Sequence, residues 1–184
     1  MRTTALIALF LVLAGAYCGG QKPGTQAQKT ETTAQLPAEA SGLLTEGELA
    51  KMVKAMPVVA EAMKTANYQA QAPAPEDQVA VVFAKLIDGM KAVPGLDSAL
   101  AASGTNWQEF RATMYKVFAA SAAIGVDMAG AMSEELAKDT TAQAKKMLKQ
   151  MNEAKAVLAK VPAENKQMVM SHQSELEGLQ SLTR

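Results

Sequence analysis

The stretch NWQEFRATMYKVFAASAAIGVDMAGAMSEELAK, Asn106 to Lys138, decides the fold class. Phe110, Met114, Val117, Ser121, Ile124, Met128 and Leu136 recur at intervals built from threes and fours. That is the period of one helix face, not the two-residue alternation of a half-buried strand. Thr105, with Gln108 three residues on, reads as a capping box that opens this helix. Its middle, Ala119 to Ala131, has small residues nearly all round, which lets neighbouring helices approach closely. Lys116 and Asp127 lie eleven residues apart, on one face with Glu109 and Glu134. Charges so placed would need partners inside a membrane, so the run reads as a packed helix with a solvated charged face.

Working outward, the same period continues on both sides. Leu49, Met52, Val53, Met56, Val59, Ala60 and Met63 form an earlier amphipathic stretch, interrupted by Pro57. The segment AQAPAPED around Pro73 and Pro75 is a break. Glu76 and Asp77 then supply negative charge to the first turn of a helix whose stripe is Val79, Val82, Phe83, Leu86, Met90 and Val93. Pro94-Gly95 ends it, and Leu96 to Ser103 form a short helix closed by Gly104. Downstream, Asp139 or Thr140 caps a helix carrying Met147, Met151, Ala154, Leu158 and Val161. Pro162 begins or kinks the last one, with Val169, His172, Leu176 and Leu179 on one face. Similar endings (Lys54 to Pro57, Lys91 to Pro94, Ala159 to Pro162) are stop signals rather than a repeat, since their spacings and flanks differ. Aromatics make up 4% of the chain, and no β-branched alternating run occurs. The expectation is an all-α fold, an antiparallel helical bundle of about five or six helices over residues 43–184.

The N-terminus is of another kind. Arg2 is followed by an almost wholly apolar run, ALIALFLVLAGA, from Ala5 to Ala16, which Gly19, Gly20 and Gln21 cut off. One positive charge, about a dozen apolar residues and then small ones is the layout of a secretory signal peptide over residues 1–17, too short for a spanning helix of roughly 20 residues. Ala14-Gly15-Ala16 fits ordinary cleavage before Tyr17. Leu13 to Cys18 also resembles a bacterial lipoprotein signal, which implies a diacylated Cys18 as the mature N-terminus; Tyr17 and Gly15 stand where that pattern carries a small and an aliphatic residue. Residues 18–42 hold one large apolar residue, Leu36, amid Gly, Gln, Thr, Ala and Pro. Such a segment reads as a disordered tether, with a coil span of about 27 Å. Cys18 is the only cysteine, awkward in an oxidising compartment unless capped. The destination is therefore export, as a membrane-anchored lipoprotein or else as a soluble periplasmic protein.

Candidate chemistry is sparse. Without Arg2 the chain has 17 basic and 18 acidic residues, a net charge near −1, which provides no field to gather nucleic acid. One histidine and one cysteine exclude a Cys₄ or Cys₂His₂ zinc site and covalent c-type haem attachment. Val169, three residues before His172, excludes the Glu-x-x-His pattern of di-iron bundles. Adjacent carboxylates at Glu134-Glu135 and Glu76-Asp77 diverge on a helix, so no catalytic pair forms and an enzyme is not expected. Methionines are abundant, 12 in all, with i,i+4 pairs at Met52/Met56, Met128/Met132 and Met147/Met151. They fill core stripes as flexible apolar residues, or else supply soft ligands for Cu(I). His172 with Met52 or Met56 resembles, in ligand types only, the axial pair of exported b-type cytochrome bundles. The main expectation is a bundle without cofactor that binds an envelope protein or peptide or has a structural role; a noncovalent haem or copper binder is the alternative. Lys138, Lys145, Lys146, Lys149, Lys155 and Lys160 against Asp139 and Glu153 give the penultimate helix a local charge of +4. That face is solvated, or meets an acidic partner or anionic headgroups.

Overall fold

The computed structural model describes residues 35–69, 74 and 77–177, with side chains left aside at 131–136. The signal peptide, Cys18, most of the tether, Pro73, Pro75, Glu76 and Leu179 lie outside the described residues, as do the side chains of Met132, Glu134, Glu135 and Leu136. A short 3₁₀ turn, Ala38–Ser41, leads into α1 (Glu46–Thr65). There follow α2 (Val79–Asp88), a second 3₁₀ turn (Gly89–Ala92), α3 (Leu96–Ser103) and the long α4 (Trp107–Lys138). Then come α5 (Ala142–Leu158), α6 (Ala163–Ser171) and α7 (Gln173–Leu176). Among the described residues there is no strand, so the fold is all-α.

Helix α4 lies at the centre and touches the first 3₁₀ turn, α1, α2, α3, α5 and α6. From Thr113 to Ala120 every residue of α4 is buried. Phe110, Met114, Tyr115, Val117 and Phe118 meet Leu49, Met52 and Val59 of α1, Phe83 and Ile87 of α2, and Leu96 and Leu100 of α3 in one core. Burying side chains of this size is worth about 1.5–3 kcal/mol each. Phe83 and Phe118 meet edge to face, centroids 5.8 Å apart. The small residues Ala119, Ala120, Ala122 and Ala123 are all buried, as their close-approach role requires.

Punctuation explains the boundaries. Thr45 and Glu48 form a full capping box at α1: the Thr45 hydroxyl accepts the Glu48 N–H, and the Glu48 carboxylate accepts the Thr45 N–H. Gly95 and Gly104 bracket α3, both at positive φ (79° and 88°), a region costly for residues with a Cβ.

Several expectations give way. Pro57 does not divide the first helix, because α1 runs through it from Glu46 to Thr65. The cap of α4 is Asn106, whose side chain accepts the Glu109 N–H; Thr105 instead closes α3 through its own N–H on the Leu100 carbonyl. Likewise Thr141 caps α5 by accepting the Ala144 N–H, while Asp139 accepts the N–H of Thr141. The fold includes residues upstream of Leu43. Ala40 is buried in the 3₁₀ turn packed on α4, so residues 35–42 belong to the fold and not to a tether. Met128 and Met147, expected inward, are 47% and 42% exposed; in α5 only Ala144 and Leu158 are buried, so its inward edge is narrower than the methionine stripe implies. The last helix breaks at His172, which ends α6 and precedes α7. No helix among the described residues is long and apolar enough to cross a membrane.

Candidate functional site

Polar side chains gather where the start of α1 meets the first turns of α4. An open cleft of about 860 Å³ lies there, with Glu48, Lys51 and Met52 on the α1 side and Trp107, Glu109 and Phe110 on the α4 side. Glu109 reaches Lys51 at 3.6 Å and accepts from the Thr105 hydroxyl at 3.1 Å. Both Lys51 and Glu109 are about half exposed, so this bridge across the cleft contributes little stability.

Two tighter constellations flank the cleft. In the first, the Lys116 ammonium donates to Glu48 at 2.6 Å and to the Leu43 carbonyl at 2.8 Å. Burial pushes the Glu48 carboxyl up, but the Lys116 bond and the Thr45 donors outweigh it and hold it below its ordinary range. Lys116 is therefore no part of a solvated face; it is buried because the strap preceding α1 lies over it. Asp127, on the same face of α4, is exposed and pairs with Lys166 of α6 at 2.9 Å. In the second constellation, Asp88 accepts from Arg111 at 2.6 Å and from the fully buried Tyr115 hydroxyl at 3.0 Å. Arg111 stacks over the Tyr115 ring at 4.8 Å and reaches Glu39 of the 3₁₀ turn at 3.1 Å. Burial, then the Asp88 carboxylate, pushes the Tyr115 phenol far above its usual range, and Asp88 raises Arg111 further. The shifts of Glu48, Arg111 and Tyr115 all run away from neutrality, so these three hold a shape and present fixed charges and dipoles and are not poised to exchange a proton there.

His172 sits elsewhere. Its Nδ1 lies 3.1 Å from Glu175 of α7 and its Nε2 3.1 Å from Glu46 in the first turn of α1. The Glu175 bond, against slight desolvation and helped by Glu46, raises its pKa. Met52 and Met56 are buried in the core cluster with Leu49 and Val59. Both nitrogens that the haem or copper alternative needs thus face carboxylates, while the two thioethers face apolar side chains. Among the described residues, no group of three or more His, Cys, Asp or Glu side chains is arranged to hold a metal ion. Cys18, the expected lipidation residue, lies outside the described residues.

The sequence signal for Glu48 was present in Thr45-x-x-Glu48, a capping box that the apolar stripe starting at Leu49 eclipsed. Nothing local marks Lys116, Asp88 or Arg111 as partners. Compared with known proteins, the chain matches no family model, no curated protein and no solved structure. Its class is thus defined by its own fold, all-α and built round one long central helix.

Proposed function

We propose that this is an exported protein of the bacterial envelope, lipidated on Cys18, whose helices act as an antiparallel, non-catalytic bundle in a binding or structural role. The observation that carries the reading is the N-terminal layout: one charge at Arg2, an apolar run from Ala5 to Ala16, and the only cysteine two residues after it at position 18. The partnering of the ionisable groups supports the non-catalytic part. Glu48, Asp77, Arg111, Tyr115 and His172 each shift because of a structural partner or burial. Arg111 and Tyr115 share Asp88, and Glu48 and Arg111 both line the cleft, but each is tied to a partner within the fold, whereas a catalytic centre aims such groups at a substrate. The cleft beside Trp107 is the concave surface that a partner segment would enter.

Intact-mass spectrometry tests this reading on protein expressed in a bacterium with its own N-terminus, beside a Cys18→Ala version. A diacyl or triacyl adduct on a chain beginning at Cys18, absent from the variant, is the expected result. An unmodified chain beginning at Tyr17 overturns the anchor and leaves an exported thiol protein.

A further inference from the structure

The cations of this chain fall into two populations. Lys51, Lys85, Lys91, Arg111, Lys116 and Lys166 each lie within 4.0 Å of a carboxylate. Lys149 reaches Glu153 only at 3.8 Å, with its side chain 74% exposed. Among the described residues, Lys54, Lys64, Lys138, Lys145, Lys146, Lys155 and Lys160 have no such partner, and five of these seven fall between 138 and 160. Residues 138–160 carry six lysines against Asp139 and Glu153, a charge of +4, in a chain whose 18 cations and 18 anions cancel in total. The remainder of the chain is accordingly at −4. The neutrality of the whole conceals a segregated positive face.

That face is a built feature of α5. At about 100° per residue, Lys145, Lys146 and Lys149 fall within roughly 100° of arc. They lie opposite Ala144 and Leu158, the two buried residues of α5. The helix is thus held to the body along one edge while these three lysines stand in solvent, with Glu153 on the same arc beside Lys149; Lys155 is exposed on the Ala144 side, and Lys160 follows the end of the helix.

We propose that the lysine face of α5 docks on an anionic lipid surface, beside the acyl anchor on which the reading above rests. The composition of the face selects lipid over a protein partner. Residues 138–160 contain neither arginine nor an aromatic residue. Protein interfaces are depleted in lysine and anchored by Trp, Tyr and Arg, whose rigid shapes give directional contacts. Lysine is a hydrated point charge on a flexible stem, suited to a diffuse sheet of phosphates that requires no fixed geometry. Each lysine near such a surface adds a roughly fivefold gain in partition, and a lipid chain combined with a basic patch gives firmer attachment than either alone.

Vesicle co-sedimentation tests the face without the anchor. The processed chain from residue 18, carrying Cys18→Ala, is mixed with vesicles of phosphatidylcholine alone or of phosphatidylcholine with phosphatidylglycerol. Binding to the anionic vesicles only is expected. It is lost when salt rises from about 0.01 M to about 1 M, shrinking the screening length from about 30 Å to about 3 Å. Lys145→Gln/Lys146→Gln/Lys149→Gln weakens it on the order of a hundredfold, while Lys54→Gln/Lys64→Gln leaves it within about twofold. Equal binding to neutral vesicles, or indifference to the triple substitution, overturns the proposal. So does salt-sensitive binding to polyglutamate with none to vesicles, which assigns the face to an acidic polypeptide. Lipidation is read separately by mass: an acylated native chain whose unacylated form ignores anionic vesicles loses only this proposal, whereas vesicle binding by a chain that is never acylated loses only the anchor.

Discussion

Asn165 accepts the Leu44 N–H at 2.7 Å and donates to the Gly42 carbonyl at 2.8 Å, so one fully buried amide on α6 binds both ends of the strap that leads into α1. Lys116, from α4, donates to the carbonyl between them, that of Leu43. The strap has no regular structure of its own and its backbone groups need partners from outside. Two side chains from helices distant in sequence supply them. The start of the fold is therefore fixed by its middle and its end.

Asn165→Ala leaves the Leu44 N–H and the Gly42 carbonyl unpaired in a buried place. Each orphaned group costs about 1–3 kcal/mol, so a loss of about 3 kcal/mol in urea unfolding is expected. Asn165→Asp keeps an acceptor for Leu44 but turns a carboxylate toward the Gly42 carbonyl. That carboxyl has a raised pKa in the folded state, so the variant regains stability as pH falls and protonation restores a donor. Wild-type stability in Asn165→Ala would remove the strap from the account of the fold.

Lys116→Met tests the buried cation. It removes one bond to Glu48 and one to the Leu43 carbonyl, and since Glu48 is about a third exposed the expected cost at neutral pH is a modest ~1–2 kcal/mol. The acid limb carries the sharper sign. Glu48 has a depressed folded pKa, so its contribution is present above its ordinary value of 4.5 and is lost as pH falls through the lower folded one. Denaturant midpoints taken down through that window should fall less steeply in Lys116→Met than in wild type. An unchanged acid slope would show that Glu48 is held by Thr45 and not by Lys116.

The helix class and the limits of α3 were legible because each is encoded within a few residues: a period, a Gly with positive φ. The stop expected at Pro94-Gly95 was not placed so well, since α2 ends at Asp88 and the chain tightens into a 3₁₀ turn over Gly89–Ala92 before the proline. The caps at Asn106 and Thr141 were displaced by one or two positions, since Thr105, Asn106, Asp139, Thr140 and Thr141 are all capable cap residues and only the backbone path decides among them. The stripe on α4 was incomplete for a different reason. A helix surrounded by neighbours buries Tyr115, Lys116 and Phe118 as well as its apolar face, and a one-sided pattern describes only helices with one wet side. Asn165 with Leu44 and Arg111 with Asp88 join residues 121 and 23 positions apart. Polar pins of that kind have no local signature, which is why Lys116 and Asp127 look alike in sequence yet one is buried and the other exposed.

His172 ties the break between α6 and α7 to the first turn of α1, its ring held between Glu175 and Glu46. Its pKa is raised from 6.5, so the stabilisation is fully present below that value and disappears as pH rises through the higher folded one. His172→Gln should therefore lower the thermal midpoint in mildly acidic buffer and match wild type in alkaline buffer. A difference independent of pH would mean that the ring acts by packing alone.

Pro57 has no N–H to give the Val53 carbonyl, yet α1 continues through it with the ring exposed. The apolar stripe explains the tolerance: Met52, Ala55, Met56, Val59 and Met63 are buried on both sides of the proline, and their packing against the core holds the helix together. A proline in a helix interior is about 3 kcal/mol less favourable than alanine, offset by the roughly 0.4–1 kcal/mol that its stiffness removes from the unfolded chain's entropy. Pro57→Ala should raise the unfolding free energy by about 2 kcal/mol. It should also add one protected amide, that of residue 57, in hydrogen exchange. Protection without a gain in stability would mean that the missing bond is already compensated by local bending of α1, and that packing of the buried stripe alone sets the stability of this helix.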